Sequence, residues 1–198
     1  MSANPVLAVV RRLFTLPGRI HWCRVVMERE CDAFADGLDT AALACLEISA
    51  GRSRWPKRKW ASYKSTAFPG YDLCAAPLAE RFDIIIAEQV LEHVPHPQKA
   101  LDNIFAMLNP GGIALITTPF LIKYHAYPHD YYRWTAGGMR LMLEWAGFTE
   151  ITVDSWGNRD CLIADMSDDN SWTHYDRARH SLRNDPRFPL VVWAFARK

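Results

Sequence analysis

The stretch that decides the fold is residues 82–94, which read Phe-Asp-Ile-Ile-Ile-Ala-Glu-Gln-Val-Leu-Glu-His-Val. Residues 82–87 are apolar apart from Asp83 and rich in isoleucine, which is typical of a short strand buried on both faces of a sheet. Glu88 and Gln89 follow at the point where this strand would end, and residues 90–94 begin a short helical piece. The pattern predicts an inner strand of a parallel sheet, with polar groups at its carboxyl end.

Further strands and helices alternate on both sides of this stretch. Apolar runs and turn residues predict strands at residues 41–48, 63–68, 113–117, 149–154 and 190–196. Helical periodicity predicts helices over residues 18–37, 97–108 and 135–146, the second stopped by Asn109-Pro110-Gly111-Gly112 and the third N-capped by Thr135. No strong helix is expected between the last two strands, which would form a closing antiparallel pair. The chain is therefore predicted to be an α/β protein, with a mostly parallel sheet and helices on both faces.

The length of 198 residues suits a single domain. Within it, residues 1–40 are expected to form an N-terminal helical extension and residues 41–198 the core. No run of about 18 apolar residues occurs, so no membrane-spanning helix is expected. The five cysteines are odd in number and include no Cys-x-x-Cys pair. This argues against a disulfide framework or a metal site and favours reduced thiols in the cytoplasm.

A local run of basic residues interrupts an otherwise balanced chain. The net charge of +1 produces no global field for nucleic acid, which is therefore not expected as a partner. Residues 52–64 nevertheless contain six Lys or Arg residues with Trp55 and Trp60 and no acid. Such a segment could bind a phosphate-bearing substrate, RNA or a partner chain, or it could be a solvated loop.

Four segments, in this order, resemble the class I S-adenosylmethionine-dependent methyltransferases. They are Leu-Glu-Ile-Ser-Ala-Gly at 46–51, Tyr-Asp-Leu-Cys-Ala-Ala-Pro-Leu at 71–78, the strand-and-turn segment at 82–94, and Leu-Asn-Pro-Gly-Gly at 108–112. The last two together carry most of the specificity. The resemblance implies a Rossmann-like sheet with an antiparallel C-terminal strand, and S-adenosylmethionine as cofactor. Residues 128–135, Pro-His-Asp-Tyr-Tyr-Arg-Trp-Thr, are similar to a subgroup found in glycan biosynthesis.

The resemblance also implies which residues bind the cofactor. Ligands of open parallel sheets bind beyond the carboxyl ends of the strands. The resemblance implies that the turn from Ser49 to Gly51 lets the backbone approach the cofactor and that Glu47 organises the methionine amino group. It implies that Asp72 accepts from the adenine amino group and that Leu73 lies against the adenine ring. Glu88 and Gln89 would lie near the methionine end. Two alternatives are that Glu47 caps a following helix and that Asp72 is a turn residue.

The sequence departs from the family pattern in its second βα unit. Ser49 stands where a glycine is usual, and only 21 positions separate Gly51 from Asp72. The family fits a helix and a second strand there, and that strand ends in an acid that holds the ribose hydroxyls. The interval contains neither Glu nor Asp. We therefore expect a shortened second βα unit without the ribose-binding acid.

The segment after the fifth strand of the family pattern is predicted to contact the acceptor. A hydroxyl acceptor needs a general base, and histidine suits neutral pH. Candidates for catalysis are His125, His129 and Asp130, and candidates for substrate binding are His93, Tyr124, Tyr132 and Arg133. Alternatively, Asp130 and Arg133 form an ion pair that fixes the loop, and His93 serves in helix packing.

Two functions are compatible with these residues. The first is methyl transfer to a small-molecule acceptor, such as a hydroxyl of a sugar or glycan precursor. The alternative is a protein of the same fold without transfer activity, acting as a binding or scaffold subunit. A homo-oligomer is compatible with both.

Overall fold

The computed structural model describes residues 20–50, 53–167 and 172–198, which contain one six-stranded sheet of order β2-β1-β3-β4-β6-β5. The strands are β1 Ala44–Ile48, β2 Ser62–Thr66, β3 Phe82–Glu88, β4 Leu108–Pro119, β5 Thr149–Trp156 and β6 Val191–Arg197. Strand β6 is antiparallel to both of its neighbours, and β1 to β4 pair in parallel. The predicted Rossmann-like sheet with an antiparallel C-terminal strand is confirmed.

Helices cover both faces of the sheet, as predicted. They are α1 Val25–Asp36, α2 Pro97–Met107, α3 Ala136–Trp145 and α4 Arg159–Met166. Alternate side chains of β3 pack on opposite faces of the sheet. Ile85 belongs to the core cluster with α2 and α3, whereas Ile84 and Ile86 belong to the cluster with α1 and α4. This two-sided burial explains why β3 is a continuous apolar run.

The predicted N-terminal extension is described only in part, because residues 1–19 lie outside the described ranges. Its described portion contains a 3₁₀ turn at Trp22–Arg24 followed by α1. Met27 and Cys31 of α1 are buried against the sheet. All five cysteines are buried and free. Within the same ranges, no helix combines the length and the apolar character needed to cross a membrane.

The expectation of no helix between the last two strands is wrong. Helix α4 begins directly after β5, where the Asn158 side chain accepts a hydrogen bond from the Cys161 amide at 2.8 Å. The helix buries Cys161 and Asp165. It has almost no apolar stripe, so its N-cap was the only strong sequence signal.

The turn at residues 109–112 also differs from the prediction. Helix α2 ends at Met107, close to the predicted stop, but β4 already begins at Leu108 rather than at residue 113. The pairing of β3 with β4 shifts register between Phe82 and Ile84. Residues 109–112 therefore form an irregularity within the strand, where Gly111 takes a φ of +75°.

The shortened second βα unit is confirmed for the described residues. Where the family has a helix, the described part of the β1–β2 connection contains only a 3₁₀ turn at Trp55–Lys57. Strand β2 pairs with β1 from Ala44↔Ser62 to Ile48↔Thr66 and forms one edge of the sheet. The carboxyl ends of β1, β2, β3 and β4 thus meet at one side of the molecule.

Candidate active site

The chain turns sharply where β1 and β3 end at this carboxyl edge. Ser49 has a φ of 56° and Gln89 a φ of 55°, both in the left-handed region that favours glycine. Ser49 is exposed and stands where the family resemblance implies a glycine. Gln89 donates its backbone N–H to the Thr117 carbonyl at 2.9 Å and its side-chain amide to the Thr117 hydroxyl at 3.1 Å. The side chain of Gln89 is therefore held against β4.

Glu47 is buried and bound to neighbouring side chains. Its Oε2 accepts hydrogen bonds from the Ser53 hydroxyl at 2.7 Å and from the Tyr63 hydroxyl. Burial and the hydrogen bond to Glu47 raise the pKa of Tyr63 above its ordinary value. The carboxylate thus ties β1 to β2 and to the start of the basic segment. It caps none of the described helices.

Glu88, at the end of β3, is bound by the basic segment. Its carboxylate accepts two hydrogen bonds from the Arg54 guanidinium, at 2.9 and 3.0 Å, and one from the Trp55 indole at 2.8 Å. Arg54 also donates to Asp32 of α1 at 2.8 Å. Burial works against the charge on Arg54, but these two carboxylates raise its pKa above the ordinary value.

Three basic side chains of this segment pair with carboxylates of the protein, whereas Lys57 and Lys59 are exposed. Besides Arg54, Arg58 forms an ion pair of 2.6 Å with Asp36 of α1, and Lys64 pairs with Glu80. Trp55 is buried in the core cluster between the sheet and α1. Three of the residues on which an RNA-binding surface would depend are thus already neutralised within the chain.

Asp72 and Leu73 lie in the loop between β2 and β3. Asp72 is exposed, and its Oδ1 accepts a hydrogen bond from the Cys74 amide at 2.8 Å, so it acts as a turn residue. The Leu73 side chain is buried in the core, while its carbonyl accepts a bond of 2.7 Å from Asn103. Of the two, only Asp72 presents a side chain to solvent.

Two further positions belong to the predicted cofactor site: the end of β2 and Gly51. Strand β2 ends at Thr66, so no acid stands at the end of this strand. The Thr66 hydroxyl is buried and has no hydrogen-bond partner among the described residues. Gly51 lies outside the described residues.

On the other side of the edge, Asp130 organises the loop that follows β4. Its side chain is only 1% exposed and makes two hydrogen bonds with the Arg133 guanidinium, one of them at 2.6 Å. The His125 amide donates a further bond of 2.8 Å to Oδ2. Burial acts to raise the pKa of Asp130, but Arg133 and the His125 amide outweigh it and lower this pKa to about 2. The alternative of a loop-fixing ion pair therefore describes this pair.

The other predicted acceptor residues are spread over the loop. His129 is exposed, and it is its carbonyl that contacts His93, whose Nδ1 lies 2.5 Å away. Tyr132 donates its hydroxyl to the Pro95 carbonyl at 3.0 Å. Tyr124 is 74% exposed. The structure thus pairs Asp130 with His125, at 3.5 Å between Oδ2 and Nδ1, and the base–acid pair of His129 with Asp130 stays a prediction.

One residue at the centre of this group was missed by the sequence reasoning. Glu92 is completely buried, and neither of its carboxylate oxygens has a hydrogen-bond partner among the residues that the structure describes. Its Oε1 lies 3.6 Å from His93 Nε2 and 3.9 Å from His125 Nε2. Burial raises the pKa of Glu92 to about 8. We refer to Glu92, His93 and His125 as the Glu92 cluster.

A signal for Glu92 was present in the sequence. It stands in Val90-Leu91-Glu92-His93-Val94, where Val90 and Leu91 are buried, so a charged residue interrupts an apolar turn. Buried carboxylates are rare unless they are paired or functional. His93 and His125 follow the ends of β3 and β4, which brings the cluster to the carboxyl edge of the sheet. This is the edge at which ligands of such sheets bind.

Comparisons with known proteins agree with the fold. Over residues 21–153, more than half of the chain, the sequence matches the family described as "Methyltransferase domain". The structure is similar to an S-adenosylmethionine-dependent methyltransferase from Mesorhizobium loti, with a TM-score of 0.58 and 16% identity over 85% of this chain and 97% of that one. It is also similar to Haemonchus contortus phosphoethanolamine N-methyltransferase 2 in complex with S-adenosyl-L-methionine, with a TM-score of 0.57, 15% identity and coverages of 87% and 52%. At these identities the likeness is one of fold.

A curated relative matches over a shorter stretch. Forty residues are 48% identical to the ubiquinone biosynthesis O-methyltransferase of Coxiella burnetii. The match covers 20% of this chain and spans only 17% of that protein.

Proposed function

The chain belongs to the methyltransferase-domain family, whose methyl donor is S-adenosylmethionine, and from this premise we propose that it methylates a hydroxyl of a small molecule. The observation that carries the proposal is the Glu92 cluster. An oxygen nucleophile must lose a proton during transfer, and a positioned base contributes to that step. Two members of the cluster, His93 and His125, supply imidazole nitrogens that can accept a proton at the edge of the sheet where the methyl acceptor would lie.

Some of the residues predicted to bind S-adenosylmethionine are placed to contact it, and others are not. The turn at Ser49 lets the backbone approach a ligand, and the exposed carboxylate of Asp72 is available to the adenine amino group. Glu88 is engaged by Arg54, and β2 ends in Thr66 rather than an acid. We infer that Ser49 and Asp72 contact the cofactor, whereas Glu88 acts through its hydrogen bonds to the basic segment. When bound, the cofactor supplies an electrophilic methyl group on a sulfonium.

The residues around the cluster are suited to move a proton. Asp130 Oδ2 lies 3.5 Å from Nδ1 of His125, which has no hydrogen-bond partner among the described residues, and Nε2 of the same ring faces Glu92. Arg133 in turn holds Asp130. Burial lowers the pKa of His125, which keeps the ring neutral and able to accept a proton near pH 7. Tyr124 and His129, on the exposed side of the same loop, would contact the acceptor.

The name of the Coxiella burnetii relative, an O-methyltransferase, supports an oxygen acceptor. A sugar or glycan-precursor hydroxyl is a narrower prediction and derives only from the resemblance of residues 128–135. We therefore propose the chemical class of the acceptor, an ionisable hydroxyl, as the main conclusion.

The experiment uses paired acceptors that differ only in carrying a hydroxyl or an amine at the reacting position. The pairs are drawn from phenols, sugars and sugar nucleotides, and labelled S-adenosylmethionine reports transfer. We expect label on a hydroxyl compound, and His125→Gln should reduce kcat by about 10²-fold or more. His96→Gln, a substitution of an exposed histidine outside the cluster, serves as the control.

Label on amines alone would reject an oxygen acceptor. If the chain binds S-adenosylhomocysteine but labels no acceptor of either kind, the second candidate, a binding subunit without transfer, would be favoured. The observation in favour of that candidate is the engagement of Glu88 by Arg54 and Trp55.

A further inference from the structure

The protonation of His93 is determined by its neighbour. Nδ1 of His93 lies 2.5 Å from the His129 carbonyl oxygen, and a carbonyl can only accept a hydrogen bond. Nδ1 must therefore carry a proton. In the neutral ring, Nε2 then presents a lone pair, and it points toward Oε1 of Glu92 at 3.6 Å.

His125 reaches Glu92 in a similar way from the loop after β4. Its Nδ1 side faces the carboxylate of Asp130 at 3.5 Å, and its Nε2 faces Oε1 of Glu92 at 3.9 Å. The rings of His93 and His125 are close to perpendicular, at 77°, with centroids 5.1 Å apart. One ligand atom from each of the three residues lies within 4.8 Å of the other two.

The lone pair of His93 Nε2 and the carboxylate of Glu92 therefore face each other beside His125, whose Nδ1 has no hydrogen-bond partner among the described residues. No donor among these residues satisfies Glu92. Leaving two buried carboxylate oxygens without hydrogen-bond partners destabilises the folded chain. A single proton on Glu92 does not resolve this, because 3.6 and 3.9 Å are too long for hydrogen bonds. A larger cation between the three groups would resolve it.

A metal ion has the required reach. Bonds of about 2.1 Å at tetrahedral or octahedral angles set neighbouring ligand atoms about 3.0–3.5 Å apart. The two distances to Glu92 exceed this range by a few tenths of an ångström. The side chains of His93 and His125 are 18% and 26% exposed, so the cluster is in contact with solvent on the side of these rings.

We propose that Glu92, His93 and His125 bind one divalent first-row transition ion, with Zn²⁺ as the best match to the donor set. Two imidazole nitrogens and one carboxylate suit zinc, iron or cobalt, whereas Mg²⁺ and Ca²⁺ prefer oxygen ligands alone. Three protein ligands leave at least one position open, as in catalytic zinc sites.

The surroundings of the cluster resemble the outer contacts of metal sites. Such histidines usually donate their second nitrogen to a carbonyl or a carboxylate, which fixes the tautomer and the ring orientation. The His129 carbonyl fulfils this role for His93, and the Asp130 carboxylate faces His125. The positive charges of Arg24 and Arg133 both lie near Glu92. Asp130 neutralises the guanidinium of Arg133. The use of the ion for acceptor binding rests on the proposed function, but ion binding itself does not. With the ion bound, Nε2 of His125 would be a ligand, and the ion rather than this nitrogen would promote loss of the acceptor's proton.

The test is a titration of the full chain with Co²⁺ alone, a spectroscopic probe of zinc-type sites. We expect one equivalent to produce saturable visible absorption, without the charge-transfer band that thiolate ligation would add, and Zn²⁺ to displace it. Glu92→Gln and His125→Ala should weaken binding by about 100-fold or more. His129→Gln, which retains the carbonyl contact and changes only an exposed ring, should bind like the parent chain.

Binding by Glu92→Gln equal to that of the parent, or a thiolate band, would overturn the inference, as would the absence of a saturable visible band. Circular dichroism melting checks that Glu92→Gln is folded, and the substitution should be tolerated because it removes an unpartnered buried carboxylate. The two proposals can fail separately. Co²⁺ binding without any hydroxyl methylation would reject only the proposed function, and chelator-resistant methylation without Co²⁺ binding would reject only the metal site.

Discussion

The Arg54 guanidinium binds the Glu88 carboxylate through two hydrogen bonds, of 2.9 and 3.0 Å, at the carboxyl end of β3. Arg54 also reaches Asp32, so the pair connects the sheet edge to α1 across the shortened second βα unit. The basic segment thus connects α1 with the end of β3, and the Glu88 carboxylate is engaged by Arg54 and Trp55.

Arg54→Gln should lower the free energy of unfolding by about 1–3 kcal/mol, measured by urea denaturation. Removing Arg54 leaves Glu88 without its counter-charge, whereas Asp32 still has Arg58 at 4.0 Å. The side chains of Arg54 and Glu88 are 26% and 16% exposed, so the loss is smaller than for a fully buried pair. Lys64→Gln is the matched control, because the Lys64–Glu80 pair is exposed and should change stability by less than about 0.5 kcal/mol. Equal losses in the two variants would contradict a structural role for Arg54.

Thr66→Asp should tighten the binding of S-adenosylhomocysteine by about tenfold, measured by calorimetry. Thr66 ends β2, where the family resemblance implies an acid that holds the ribose hydroxyls, and a hydrogen bond to a charged group contributes about 1.5–3 kcal/mol. Thr66→Asn introduces a side chain of the same shape as aspartate but without its charge, and it should increase the affinity for S-adenosylhomocysteine by less. Unchanged affinity in both variants would indicate that the ribose of the bound cofactor lies away from β2.

Ser49→Gly should raise the free energy of unfolding by about 0.5–1 kcal/mol. The left-handed φ of 56° costs a serine about 1–2 kcal/mol, and part of the gain is lost to the greater freedom of glycine in the unfolded chain. Ser62→Gly, in the extended strand β2, should lower the free energy of unfolding, because it relieves no strain and adds only freedom to the unfolded chain. Destabilisation by both substitutions would show that Ser49 is not strained.

The Asp130 carboxylate should make stability fall in acid. Its pKa is about 2 in the folded chain, below its ordinary value of 3.8. A lowered pKa stabilises the fold fully above the unfolded pKa, and the contribution is lost as the pH falls toward the folded pKa. Between about pH 5 and pH 2, the parent chain should therefore lose about 2 kcal/mol more than Asp130→Asn, in urea titrations at each pH. Parallel curves for the two chains would refute the ion pair with Arg133 as its source.

Local features of the fold were predicted well from the sequence. The N-cap at Thr135 is an example, since its hydroxyl accepts from the Gly138 amide at 3.1 Å and α3 begins at the next residue. The strand at Phe82–Glu88 is another, because its apolar run reflects burial on both faces. Helix α4 was missed because eight residues with little apolar periodicity carry too weak a signal.

The candidate site was predicted less completely. The resemblance led to residues at the carboxyl edge of the sheet, whose role stays a prediction, and to the absence of an acid at the end of β2, which the structure shows. It paired His129 with Asp130 as sequence neighbours, whereas the described contacts of Asp130 are with His125 and Arg133. It also did not single out Glu92, whose burial depends on the loop after β4 closing over it.

By itself, the sequence determined the strands and helices other than α4, the sheet edge that carries the polar residues and the shortening of the second βα unit. These features follow from periodicity, capping and spacing, which act over a few residues. Only the tertiary structure decided that Arg54 binds Glu88 and that His93 and His125 meet at a buried Glu92. Those contacts join residues about 30 positions apart, and their geometry depends on how loops from different strands pack together.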